Sequence, residues 1–247
     1  MLKLDDFKKL QQKKYRQEYG HYLAEGEHLV LELGKALTHR PELSRARVLI
    51  THEYAAAGLP AGFPNTLELD MVSAKQMAQL CDTHTPQGVI AIVPVLDAAD
   101  PQVNEKSVYL HEIQDPGNLG TILRSLAWFG GFRCLLSPGC VDPYNPKVVR
   151  ASMGAIFTVP LESDIALQQL SQRFSRYAIL DSKGLPLTHP SFRSFECYVF
   201  GNEARGIPAE LRASSQDAQF TIAGHGHMES LNVATAVNIC TYELCRH

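Results

Sequence analysis

The chain holds 247 residues, 45% of them hydrophobic and 20% charged, enough apolar content for one large core or two ordinary ones and too much for a disordered chain. Its formal net charge of −3 excludes a protein coated in positive charge but leaves room for a local basic patch. No run of about 18 apolar residues could span a bilayer. The start, MLKLDDFKKLQQKKYRQEYG, lacks the apolar core and cleavage site of a secretory signal, so a cytoplasmic location is expected.

Along that first segment Lys3, Lys8, Lys9, Lys13, Lys14 and Arg16 stand against Asp5, Asp6 and Glu18. The pattern fits a basic helix on nucleic-acid phosphates and equally a solvated helical face. HYLAEG then reads as a strand, EHLVLELGKAL as a helix, RVLITHEY as a strand, SAKQMAQLCD as a helix, and GVIAIVPV as a buried strand. LDAADPQVNEK is polar, carries a proline and has no period, which places a boundary within 97–106. The expected division is a domain over 1–98, a linker over 99–106 and a second domain over 107–247.

Past the linker, strands are expected at SVYLHEI, RCLLSPG, YAILDS, CYVFGNE and QFTIA. Helices are expected around 118–130, 145–155, 164–174 and 230–245, the last with Val233, Val237, Cys240 and Leu244 on one face. In the first, Leu119, Ile122, Leu123, Leu126 and Phe129 form an apolar stripe, while Thr121, Arg124 and Trp128 point away from it and Asn118 stands where a cap would. Strands alternating with helices imply an α/β fold with a mostly parallel sheet covered on both faces. Ligands of such sheets bind beyond the carboxyl ends of the strands.

That rule singles out HEIQDPGNLGTILR, VFGNEARGIP and IAGHGHMESLN, each an apolar strand running into a polar, glycine-bearing loop. Gly201 and Gly206 have phosphate-loop spacing, but Ile207 and Pro208 replace its Lys and Ser/Thr. No G-x-G-x-x-G follows a strand, so a Rossmann dinucleotide site is not expected either. Ser230 is placed to cap the last helix, with Asn232 in its first turn. Cys81, Cys134, Cys140, Cys197, Cys240 and Cys245 never form C-x-x-C and read as reduced, mostly buried thiols. His225 and His227 lack a partner cluster, so no metal is expected.

DPGNLGTILR, VFGNEARGIP and ESLNVATAVN, in this order, resemble the three signature motifs of the SpoU (TrmH-like) RNA 2′-O-ribose methyltransferases, which belong to the SPOUT class of knotted enzymes. The resemblance covers about residues 107 to 247 and includes VDPYNPKVVRASMGAIF between the first two motifs. HYLAEG and TPQGVIAIV are similar to the ribosomal-protein-L30e-like substrate-binding domain often fused to that class. The resemblance implies a parallel-sheet SPOUT domain with a C-terminal trefoil knot, a smaller N-terminal α/β domain, and a homodimer. It also implies S-adenosylmethionine as methyl donor and RNA as substrate, with ribosomal RNA favoured over transfer RNA.

Residue by residue, the family's catalytic arginine falls on Arg124, and Asn118, Glu203, Ser230 and Asn232 fall on motif positions that orient it, the ribose or the donor. Donor contacts are implied at Leu180, Gly201, Asn202, Gly206, Ile222, Met228 and Leu231, and RNA contacts at Arg124, Lys147, Arg150, Lys13 and Lys14. The third motif departs from the family's common Ile-Pro-Met, with Ile222-Ala223-Gly224 in its place. An RNA-binding or ribosome-assembly protein on the same scaffold, without methyl transfer, is the alternative. Retention of all three motifs favours the enzyme over it, and the missing nucleotide fingerprints together with the separate N-terminal domain disfavour a small-molecule α/β enzyme.

Overall fold

The computed structural model describes residues 3–209, 211, 218–224, 228 and 230–246. The chain forms two compact units, Met1–Leu96 with Asp142–Thr158, and Asp97–Val141 with Val159–His247.

The first unit opens with α1 (Leu4–Lys9) and α2 (Lys13–Tyr19), the latter ended by Gly20 in the left-handed conformation. β1 (His21–Glu25), α3 (Glu27–Ala36), β2 (Arg47–Thr51), α4 (His52–Ala56), β3 (Glu68–Val72), α5 (Ala74–Leu80) and β4 (Val89–Pro94) follow. The sheet order is β1-β4-β2-β3, antiparallel except for the β2–β3 pair, so this smaller sheet is mixed rather than mostly parallel. Strand β2 ends earlier than its apolar run because the Thr51 hydroxyl accepts the Tyr54 amide and caps α4. Strand β3 escaped the sequence reading: it is an edge strand on which only Val72 is buried. Leu23, Leu49, Ile90 and Ile92 face a core with Phe7 of α1 and Met77 and Leu80 of α5.

The second unit contains β5 (Lys106–Leu110), α6 (Pro116–Phe129) and β6 (Phe132–Leu136). The chain then supplies α7 (Pro146–Ala151) to the first unit and returns for β7 (Leu161–Glu162), α8 (Leu167–Arg173), β8 (Tyr177–Pro186), β9 (Cys197–Phe200), β10 (Gln219–Thr221) and α9 (Val233–Cys245). The sheet runs β10-β8-β9-β5-β6-β7, and every neighbouring pair is parallel. Tyr109, Leu135, Ile179 and Val199 line one face with Leu170 of α8. Helix α6 buries Leu119, Ile122, Leu123 and Leu126, the stripe its periodicity implies, and packs against β6 and α9.

Segment 142–158 is stitched into the first unit. Helix α7 packs on β1, and the Tyr22 and Tyr144 rings meet at 4.7 Å. Arg16, only 4% exposed, donates to Asp142 Oδ2 from Nε at 2.9 Å and from Nη2 at 2.5 Å, and to the Leu10 carbonyl at 2.7 Å. Arg150 lies 2.7 Å from Asp82 and 3.5 Å from the buried Glu25.

Candidate active site

In the second unit β5 and β9 are direct parallel neighbours, while the chain leaves β5 toward β6 on its other side. This is where the strand order reverses, and the loops after β5 and β9 open at the carboxyl ends where such folds bind ligands. Leu110, Phe200 and Leu180 form one row across β5, β9 and β8 at that end. Gly201 and Ile222 follow directly after β9 and β10.

Helix α6 begins with Asp115, whose Oδ1 accepts the Asn118 amide at 2.7 Å, and Pro116 occupies the first helical position. Asp115, not Asn118, is therefore the cap, and the Asn118 side chain is free for other work. Its Nδ2 donates to Glu203 Oε1 at 3.2 Å and its Oδ1 accepts from Asn232 Nδ2 at 2.8 Å. The cap of α9 is likewise Asn232 rather than Ser230. Asn232 Oδ1 accepts the amides of Ala234 and Thr235 at 2.9 and 3.2 Å, while Ser230 lies two residues upstream and exposed.

The direction of this chain is forced. Backbone amides can only donate, so they hold Asn232 Oδ1 inward and turn its NH2 toward Asn118. Asn118 must then present Oδ1 to Asn232 and its NH2 to Glu203. Glu203 also faces the amides of Gln114 and Asp115, each at 3.4 Å. One carboxylate thus gathers three donors from the β5–α6 junction, and the three motif residues Asn118, Glu203 and Asn232 form one hydrogen-bonded unit.

The loop after β9 is closed by its own backbone, with Asn202 and Gly206 exchanging amide–carbonyl bonds at 3.1 and 2.9 Å. A Cβ on Gly201 would sit 2.3 Å from the Gly206 carbonyl carbon, so only glycine permits this approach. The Asn202 side chain is buried: Oδ1 accepts the amides of Ala204 and Arg205, both at 3.0 Å, and Nδ2 donates to the Glu112 carbonyl at 2.6 Å. Its amide is spent on holding the loop.

Arg124 lies on the exposed face of α6, six residues beyond Asn118 and so roughly 9 Å further along the helix. Its guanidinium makes no hydrogen bond or ion pair with another described residue. Trp128 shares that outward side at 84% exposure, as the helical winding implied. Met228 and Leu231 are apolar yet 82% and 50% exposed. Lys13, Lys14 and Lys147 are exposed, whereas the Arg150 guanidinium is taken up by Asp82 and Glu25. His225 and His227 lie outside the described residues, as does Glu229 of the third motif.

Several participants carried no sequence motif reading of their own. Asp115 was legible as a cap from Asp-Pro at a helix start. Glu112 and Arg205 were not. Glu112 holds a left-handed φ of 50°, a conformation that its residue type does not advertise. His111 directly follows β5, its Nδ1 buried and without a hydrogen-bond partner among the described residues, and burial holds its imidazole below the ordinary value.

The SpoU rRNA methylase family model matches residues 105–242, and that of the MRM3-like substrate-binding domain matches residues 3–91. The chain is 30% identical to the 23S rRNA (guanosine(2553)-2′-O)-methyltransferase RlmP of Bacillus subtilis, over 98% of this chain and 95% of that protein. Among solved structures it is similar to an AdoMet-bound rRNA methyltransferase from Sinorhizobium meliloti, with a TM-score of 0.77, 27% identity, and 99% and 94% of the two chains covered. The SpoU methyltransferase AviRb from Streptomyces viridochromogenes shares the fold at a TM-score of 0.78 and 19% identity, over 98% of this chain and 96% of that one.

Proposed function

The chain belongs to the SpoU rRNA methylase family, and from that premise we propose that it methylates a ribose 2′-hydroxyl of RNA, ribosomal RNA ahead of transfer RNA, with S-adenosylmethionine as donor. The observation that carries the reading is the Asn232–Asn118–Glu203 chain, which draws the three motifs together at the switch point of the parallel sheet. The RlmP relative acts on rRNA riboses, and the Sinorhizobium structure holds AdoMet. Those names support both the substrate and the donor proposed for this chain.

The residues fit such a donor. Gly201 and Ile222 follow the carboxyl ends of β9 and β10, Leu180 of the intervening β8 pairs with the last residue of β9, and exposed Met228 and Leu231 offer apolar surface of the kind a purine covers. When bound, the donor supplies an activated sulfonium methyl group, which leaves alignment and removal of one proton to the protein. The glycine-closed loop at 201–206 presents backbone, Asn118 and Glu203 fix the start of α6, and Arg124 projects a guanidinium from that helix. A guanidinium scarcely deprotonates in a protein, so Arg124 grips an RNA phosphate bidentately and steadies the developing alkoxide rather than taking the proton. The proton leaves to the phosphate or to water.

The same proposal includes Lys13, Lys14 and Lys147 on RNA phosphates, the trefoil knot implied by the motifs, and a cytoplasmic homodimer. The exposed Trp128 of α6 and Tyr242 of α9, at 84% and 56%, are surface that a second copy would cover. The test is Arg124→Ala assayed for methyl transfer and for donor binding. We expect transfer to fall by roughly 10²- to 10³-fold with S-adenosylmethionine affinity kept. Full transfer by the variant would remove Arg124 from the mechanism.

A further inference from the structure

We propose that Glu112 is a positioning residue that holds Glu203 in its working place through Asn202 and Arg205, an inference that rests on the methyltransferase reading. Glu112 contributes with every polar part it has. Its amide donates to Ser137 Oγ at 2.8 Å, and its carbonyl accepts Asn202 Nδ2 at 2.6 Å and Gln114 Nε2 at 3.4 Å. Its carboxylate Oε2 pairs with Arg205 Nη2. Asn202 and Arg205 flank Glu203 on either side of the tight turn, so both ends of the segment that carries Glu203 are tied to one residue of the β5–α6 loop.

The backbone shows that this arrangement is held against a local preference. Glu112 has φ of 50°, where a side chain is disfavoured and glycine is at ease. An ordinary turn would favour glycine here. Glycine would keep the carbonyl contact but lose the carboxylate that reaches Arg205. A strained non-glycine residue at the mouth of a site points to a function of its side chain. Arg205 is 70% exposed, so its ion pair adds little to folding stability; its effect is on where the 202–205 turn sits. The second tie complements the first: Glu203 pulls on Gln114, Asp115 and Asn118 from one side of the loop, and Glu112 pulls on Asn202 and Arg205 from the other.

The test compares Glu112→Ala, Glu112→Gly and Arg205→Lys by thermal melting, amide hydrogen exchange and steady-state kinetics on an RNA that the wild type methylates. Both Glu112 variants should lose roughly ten- to hundredfold in kcat with the RNA KM within about twofold. Glu112→Gly should melt at or above the wild-type temperature because the backbone strain is released, and Arg205→Lys, which keeps a cation opposite the Glu112 carboxylate, should retain most of the wild-type rate. Exchange at the Ala204 and Arg205 amides should lose protection in the Ala and Gly variants. Wild-type kcat in either Glu112 variant, or a kcat that follows melting temperature across the set, overturns the proposal. Unchanged exchange at 204 and 205 overturns it whether or not the wild type proves to be a methyltransferase. Absence of transfer by the wild type would instead defeat the functional reading.

Discussion

Two backbone amides at the start of α9 decide how two asparagines are turned, and through them where a carboxylate rests. Asn232 Oδ1 is committed to Ala234 and Thr235, Asn118 is turned in consequence, and Glu203 receives the result. Replacing either amide by a carboxylate would place two acceptors face to face. His111 directly follows β5, 4.0 Å from Glu112 Oε2 through Nε2. Burial lowers its pKa from 6.5, so the unfolded chain takes the proton first as the medium acidifies. Stability is therefore lost as pH falls through about 6.5, and nothing is gained above it. His111→Gln should flatten that loss: the melting temperature of the variant should approach or overtake the wild type between pH 7 and about 5. A constant difference between the two proteins across that range would show that His111 does not titrate in the window.

At this scale the sequence was most informative where chemistry needs a particular residue type. Arg124 was legible because the apolar stripe accounts for how its helix packs and leaves Arg124, with Trp128, on the outward side. The caps stand three and two residues from where the sequence reading puts them. Asn118 and Asn232 are both good capping residues, and only the geometry shows Asp115 doing that task for the first and Asn232 rather than Ser230 for the second. Glu112 was illegible, since its role depends on a φ that glycine usually supplies.

Elements were legible in proportion to their burial. The strands β5, β6 and β9 are buried throughout or nearly so, and they stand where their apolar runs placed them. Edge strands β3 and β7 were not seen, because Glu68–Val72 buries one side chain and Leu161–Glu162 has only two residues, neither fully buried. Beyond its short parallel backbone pairing, β7 is tied to β6 by charge. Arg133, 5% exposed on its side chain, reaches Glu105 at 2.9 Å, Glu162 at 2.7 Å and the Ala99 carbonyl at 2.7 Å. Removing one member of a buried ion network leaves the others desolvated and unpaired. Arg133→Met should cost about 3–5 kcal/mol in denaturant unfolding, while Arg205→Gln, at an exposed pair, should cost under about 1 kcal/mol. Equal losses in the two variants would contradict this division between buried and exposed pairs.

The whole molecule departs from a simple reading in series. The chain passes from one unit to the other between Leu96 and Asp97, yet residues 142–158, far along the chain, belong with the first of them. A buried arginine in the basic N-terminal segment explains part of that. Arg16, one of the cations of that basic segment, is consumed by Asp142 and the Leu10 carbonyl instead of facing phosphates. Long-range ion pairs of this kind leave no periodic trace, which is why local patterns miss them. The motifs that identify the family survive such losses because their residues act within short loops. Their order along the chain becomes a single hydrogen-bonded cluster only when the parallel sheet sets β5 and β9 side by side.

The central claim is methylation of an RNA ribose. The most direct measurement maps 2′-O-methyl groups across total RNA from cells that carry the protein, cells that lack it, and lacking cells supplied with Arg124→Ala. One ribosomal RNA site should lose its methyl group without the protein, return with the wild type and stay unmethylated with the variant. A methylation map that is identical in all three would contradict the account.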